Sequence, residues 1–132
     1  MGAELSVRVV LCVVLVGSGL LIAWMAHAAA SGKLKRNPVA GIRIPSTMAS
    51  EEAWLAAHVR AKRATQLSAL VAIAAGLIVL LPLPTPALAS VALVGAGAMV
   101  GFVLYGARVG SRAAEAVTRE AAPGSTGTAS QR

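Results

Sequence analysis

Apolar residues fall in three long blocks along this chain, at residues 9–30, 64–81 and 87–107, with polar and charged residues collected between and after them. Each block has roughly the 20 residues an α-helix needs to cross a hydrocarbon core. The blocks are continuous rather than alternating, so the pattern predicts an all-α integral membrane protein with three transmembrane helices. Pro82-Leu83-Pro84-Thr85-Pro86 separates the second and third blocks. Prolines at alternate positions cannot continue a helix and favour an extended turn, so these two blocks form a helical hairpin. One membrane domain is expected over residues 1–110. Residues 111–132 read as a tail that opens with a few helical turns, in which Glu115, Arg119 and Glu120 can pair, and then dissolves into Pro123-Gly124-Ser125-Thr126-Gly127-Thr128. That ending has the composition of disorder.

Composition supports the membrane class and removes others. The chain is 57% hydrophobic and 13% charged, with a mean hydropathy of +0.75; soluble domains carry about twice that charge. The formal net charge of +7 does not point to nucleic acid, because the basic residues sit beside the apolar blocks without interleaved aromatics. Their placement instead sets an orientation. The loop at residues 31–63 carries Lys33, Lys35, Arg36, Arg43, Arg60, Lys62 and Arg63 against Glu51 and Glu52, and the chain from Arg108 onward carries Arg108, Arg112, Arg119 and Arg132 against Glu115 and Glu120. The proline turn has no charge. By the positive-inside rule the amino terminus is outside, and the loop and tail face the cytoplasm. Ala26-His27-Ala28 has the small-x-small look of a signal cleavage site, but the apolar block before it exceeds a signal core and basic residues follow it.

Candidate chemistry is sparse. Cys12 stands alone, which excludes an internal disulfide, and lies inside the first block as a small hydrophobe. His27 has no His, Cys or carboxylate at ligand spacing, so neither a metal nor a cofactor is expected. No charge lies mid-block to carry a proton or ion. Small residues do recur at helical spacing: Ser68, Ala72 and Gly76 in the second block, and Gly97 and Gly101 in the third. Such faces let helix backbones approach closely in lipid. They are expected to pack the hairpin itself, with homodimerisation through Gly97 and Gly101 as the alternative.

The loop concentrates what polar chemistry the chain has. Asn37-Pro38 turns the backbone out of helix, Gly41 permits a conformation or close approach closed to other residues, and Pro45-Ser46-Thr47 makes a second turn. Ser50 is a good N-cap, and Glu51 and Glu52 suit the positive end of the helix that follows. Nothing breaks that amphipathic, interfacial helix before the second block, so it can enter the bilayer as one rod. Trp54 and His58, four apart, share a face with Glu51 and Leu55. Two readings follow. Trp54 anchors the helix among lipid headgroups while Arg43 pairs with lipid phosphate or a glutamate, or Arg43, Glu52, Trp54 and His58 are offered to a protein partner. Catalysis has little support, since no nucleophile or orienting group stands beside His58.

These residues carry a resemblance. Asn37, then Gly41-Ile42-Arg43-Ile44-Pro45-Ser46-Thr47-Met48, then Ser50-Glu51-Glu52-Ala53-Trp54 and His58 resemble the signature of the SdpI family of small bacterial membrane proteins. That signature runs Asn, Gly-hydrophobic-Arg-Thr-Pro, a Thr, then Ser, Glu, Trp and His. Ile44 departs from the usual Thr, Ala40 from a bulky residue, and Ser46 from a frequent Trp or Arg. The resemblance implies a small single-domain member in the bacterial plasma membrane, with an immunity and signalling role. In the founding member the protein protects against a secreted toxin and, once toxin is bound, holds a transcriptional repressor at the membrane. Carried over by position, the partner-binding residues are Asn37, Gly41, Arg43, Pro45, Glu52, Trp54 and His58. A repressor or peptide toxin is the implied partner, beside the bilayer itself.

Overall fold

The computed structural model describes residues 2–123. It has four helices: α1 (Gly2–Ala30), the short α2 (Pro45–Met48), α3 (Glu51–Ile78) and α4 (Thr85–Ala121). Three of them, α1, α3 and α4, are long and apolar enough to cross a membrane. The chain is an all-α integral membrane protein. Its two ends are named here for their connections: the loop end, between α1 and α3, and the turn end, between α3 and α4.

α1 stops where the apolar block stops. Gly32 takes a φ of +78°, and the Leu34 amide donates back to the Ala28 carbonyl at 2.9 Å, a glycine-terminated helix end of the kind that satisfies otherwise unpaired carbonyls. α3 begins at its expected cap, with Ser50 Oγ accepting from the Ala53 amide at 3.0 Å. It then runs unbroken through the basic belt into the bilayer. α4 continues well past the third apolar block. Arg108 marks the end of the apolar run but not of the helix, because alanine-rich sequence follows and favours helix. There Gly110 packs on Ala57, and Ala114 is buried in a cluster with Ala53 and Ala57. The first part of the expected tail is therefore ordered helix; its Gly124-to-Arg132 portion lies outside the described residues. At about 1.5 Å per residue, the 37 residues of α4 extend for roughly 55 Å, against roughly 30 Å of hydrocarbon.

α3 is the central rod. α1 and α4 each pack against it and not against one another, and α2 sits between α3 and α4. Its buried positions are mostly small, Ala57, Ala61, Ala64, Ser68, Ala69, Ala72, Ala75 and Gly76 among them, which brings helix backbones into van der Waals range. Against α1 the fit is close at two glycines. A Cβ on Gly19 would lie 2.6 Å from Ile73, and one on Gly76 would lie 2.9 Å from Val16. The face of Ser68, Ala72 and Gly76, expected to pack the hairpin, is buried inside the bundle, but Gly76 meets Val16 and Leu15 of α1 rather than α4, and the Ser68 hydroxyl has no hydrogen-bond partner among the described residues.

Gly97 and Gly101 do not pack the hairpin. Both are exposed, and a Cβ on either would meet nothing within 4 Å. α4 uses Gly95, Gly106 and Gly110 instead. A Cβ on Gly95 would lie 2.7 Å from that of Ala75, and one on Gly110 would lie 2.9 Å from the Ala57 carbonyl oxygen. With 3.6 residues per turn, Gly97 stands about 200° round the helix from Gly95, and so faces away.

The turn end is closed by a residue from the opposite terminus. Val79 and Leu83 leave carbonyls free where α3 ends and proline removes possible partners, while the Leu81 carbonyl accepts the Leu83 amide at 2.7 Å and has a second lone pair to offer. The Arg8 guanidinium of α1 donates to all three, at 3.3 Å to Val79 and 2.6 Å to Leu83. This one side chain ties α1 to the turn itself, beyond its packing along α3.

Candidate functional site

The loop between α1 and α3 is held by its own side chains. Asn37 Oδ1 accepts from the amides of Val39 and Ala40 at 2.9 and 2.8 Å, and its Nδ2 donates to the Lys35 carbonyl at 2.7 Å. This is a side-chain-closed turn of the kind asparagine favours. Arg43 reaches back across it to donate to the Pro38 carbonyl. Pro45 opens α2 at the first helical turn, where a missing N–H costs nothing. Thr47, fully buried, donates its hydroxyl to the Ile42 carbonyl at 2.6 Å and accepts from the Ile44 amide at 3.2 Å.

The loop is then clasped onto α3 by Trp54 and His58. The indole N–H of Trp54 donates to the Leu34 carbonyl at 2.9 Å. His58 Nε2 accepts from the Ile42 amide at 3.0 Å, and its Nδ1–H donates to the Trp54 carbonyl one turn back at 2.8 Å. Accepting at Nε2 requires a neutral ring with its proton on Nδ1. The two rings lie 4.1 Å apart, tilted by 37°. Gly41 fits beneath them with φ of +97°, and a Cβ there would come within 2.7 Å of both His58 Nε2 and Trp54 Cη2. No other residue suits both that backbone conformation and that space.

His58 precedes the Arg60, Lys62 and Arg63 belt and so stands outside the spanning part of α3. Burial holds its pKa below the ordinary imidazole range, with the hydrogen bond to the Trp54 carbonyl pulling more weakly the other way. The clasp and the depressed pKa agree, since both favour the neutral ring.

A second brace lies at the rim. Arg36 Nε is 3.5 Å from Glu51, its amide donates to the same carboxylate at 3.2 Å, and its Nη1 donates to the Met48 carbonyl at 2.7 Å. Both charges are well exposed, so the pair fixes geometry more than it adds stability.

The structure thus separates the sequence candidates into two groups. Asn37, Gly41, Pro45, Trp54 and His58 build the loop. Trp54 is 1% exposed and His58 is buried, so neither is offered to a partner, and Trp54 is no headgroup anchor. Sequence spacing places both on one helical face but does not say that the loop folds back over that face. Arg43, Pro45 and Glu52 are the candidates that stay exposed, together with Val39. Arg43 and Glu51 are not partners; Arg36 holds Glu51 instead. Thr47, expected only as part of a turn, completes the structure with Arg36 and the Leu34 carbonyl, none of them among the sequence candidates. Thr47 had a signal, since a hydroxyl two residues after a proline at a helix start commonly closes a turn. Among the described residues no group of His, Cys, Asp or Glu is placed to hold a metal ion.

Three lipid-spanning helices carrying a clasped polar loop define a small multi-pass membrane protein whose distinctive residues all lie at one end. A family model described as the SdpI/YfhL protein family matches residues 33–106. The match covers more than half of the chain, from the start of the loop through most of α4, and the chain belongs to that family. Comparison with curated proteins and with solved structures returned no match.

Proposed function

We propose that this protein acts as an SdpI-type immunity and signalling protein of the bacterial plasma membrane, recognising a protein partner through the outer edge of its loop and performing no chemistry of its own. In this reading the amino terminus is outside, and the loop and the end of α4 face the cytoplasm, following the bias of basic residues. The observation that carries it is the division of labour in the loop. Asn37, Gly41, Thr47, Trp54 and His58 are spent on holding the backbone, which leaves Val39, Arg43 and Glu52 exposed on a rigid frame. A preorganised surface loses little entropy on binding, and arginine is a residue type that often carries interface energy. The partner class is a repressor or a peptide toxin.

The test is a photo-crosslinking residue at Val39, which is 79% exposed, in living cells. One discrete captured protein, lost in Arg43→Ala while membrane insertion is kept, is the expected result. An identical capture pattern from Arg43→Ala would remove the recognition role. A second reading has one specific observation behind it: Gly97 and Gly101 face outward with open space beside them. It makes the chain a structural or accessory subunit, or a homo-oligomer, joined through α4. That reading expects Gly97→Leu or Gly101→Leu to disrupt assembly while loop variants are harmless.

A further inference from the structure

α1 and α4 flank α3 without touching each other, and near the loop end a crevice of about 320 Å³ lies between them. Its volume falls in the range of small-ligand sites, roughly 300–1,000 Å³. Ile22 and Met25 of α1 form one wall, Val103 of α4 the other, and Gly41 with Ile42 closes the end. Because the two walls belong to helices that do not meet, the crevice opens sideways into the bilayer.

Three side chains supply its polar groups. His58 has both ring nitrogens engaged by backbone, and the Thr65 hydroxyl donates to the Ala61 carbonyl at 3.0 Å. Lys62 is different. It lines the crevice and is half-buried, while its neighbours Arg60 and Arg63 are exposed. One helical turn from both His58 and Thr65, it shares their face of α3. No hydrogen bond or ion pair engages its ammonium among the described residues. An apolar slot with lateral access, one cation at its rim and a position at the edge of the spanning segment matches one kind of molecule: an acyl chain bearing an anionic head.

We infer that this crevice seats one acyl chain of an anionic phospholipid from the loop-side leaflet, with the lipid phosphate held by Lys62. The chain lies along Ile22, Met25 and Val103, and its occupancy backs the Gly41 and Ile42 wall on which His58 closes. Phosphate provides the acceptors that the Lys62 ammonium lacks. The inference is independent of which face of the membrane the loop occupies.

Trp54 provides the readout, since Gly41 and His58 lie between its ring and the crevice. Trp24→Phe leaves Trp54 as the sole indole of a chain with two. This variant is placed in nanodiscs of phosphatidylcholine with increasing fractions of phosphatidylglycerol brominated on its acyl chain, a short-range quencher that reaches an indole through one intervening layer of side chains. Saturable quenching is expected, with half-effect at a fraction about fivefold lower than for brominated phosphatidylcholine, the advantage of one well-placed cation. Lys62→Gln removes that preference, whereas Arg63→Gln, outside the crevice, leaves it intact. Val103→Phe, which fills the slot, lowers the quenching by both lipids. Equal quenching by the two lipids in the unsubstituted crevice overturns the inference. So does an equal loss in Arg63→Gln, which would mean general surface charge, or quenching by a brominated free fatty acid alone. Lys62 is half-exposed and packs no helix, so Lys62→Gln decides the matter even if Val103→Phe fails to fold.

Discussion

The two ends of this bundle face the same difficulty and meet it in opposite ways. At each, helices end beside a membrane and leave backbone groups without helical partners. The loop end satisfies them with a dense local set: Asn37, Thr47, Trp54 and His58 each bond backbone within some twenty residues of themselves. The turn end has local backbone bonds of its own but takes its side-chain support from Arg8, which reaches carbonyls more than seventy positions away. Distributed bonding makes the loop a rigid platform. A single tether makes the turn simple to build and simple to undo.

The comparison can be broken most severely at Gly41. Gly41→Val forces a branched side chain into a left-handed backbone conformation and into the Trp54 and His58 rings. We expect a loss of about 3 kcal/mol from strain and overpacking together, read as a fall in thermal midpoint in detergent and as new protease sensitivity in the loop. The turn end should be unaffected.

Arg8→Gln is the converse. Losing charge-assisted bonds to three carbonyls costs about 1.5 kcal/mol, moderated by water at the membrane surface. Hydrogen exchange should then rise where α1 meets the turn while loop amides stay protected. Equal loosening at both ends would mean that the bundle unfolds as one unit and that the contrast drawn here is wrong.

The smallest effect is a response to acid. The folded-state pKa of His58 is depressed by burial, so the unfolded chain binds the proton more readily. Its contribution is fully present above the ordinary imidazole pKa of about 6.5, and is lost as pH falls through the lower folded value. The Ile42 amide should lose exchange protection over that window, while the turn end, bonded through Arg8, keeps its protection. His58→Gln should remove the pH dependence.

What could be read from the sequence follows the same division. The three spans, the Ser50 cap and the unbroken α3 rest on contiguous residues, and the structure has them. The loop was visible as a motif because Asn37, Gly41, Trp54 and His58 lie close together in sequence. Their inward direction was not visible, because it depends on the loop folding back over a face that helical spacing alone leaves open. Glycine choice in α4 failed for a related reason. Gly95, Gly97, Gly101, Gly106 and Gly110 offer more than one helical face, and only the position of α3 selects among them. Arg8 gave no signal, since nothing in the order of residues links it to a proline turn so far along the chain. Helical turns beyond Arg108 were legible, but their continuity with the third span was not, because charge marks the limit of the lipid and says little about where hydrogen bonding along the axis ends.

That continuation carries α4 out of the lipid alongside the first turns of α3. Hydrocarbon accounts for little more than half of its length, and the remainder stands clear as a mast, stayed near its foot by Ala57 against Gly110 and by Ala53 against Ala114. Pro123 is therefore carried at a fixed standoff from the lipid surface, on the same side as the loop.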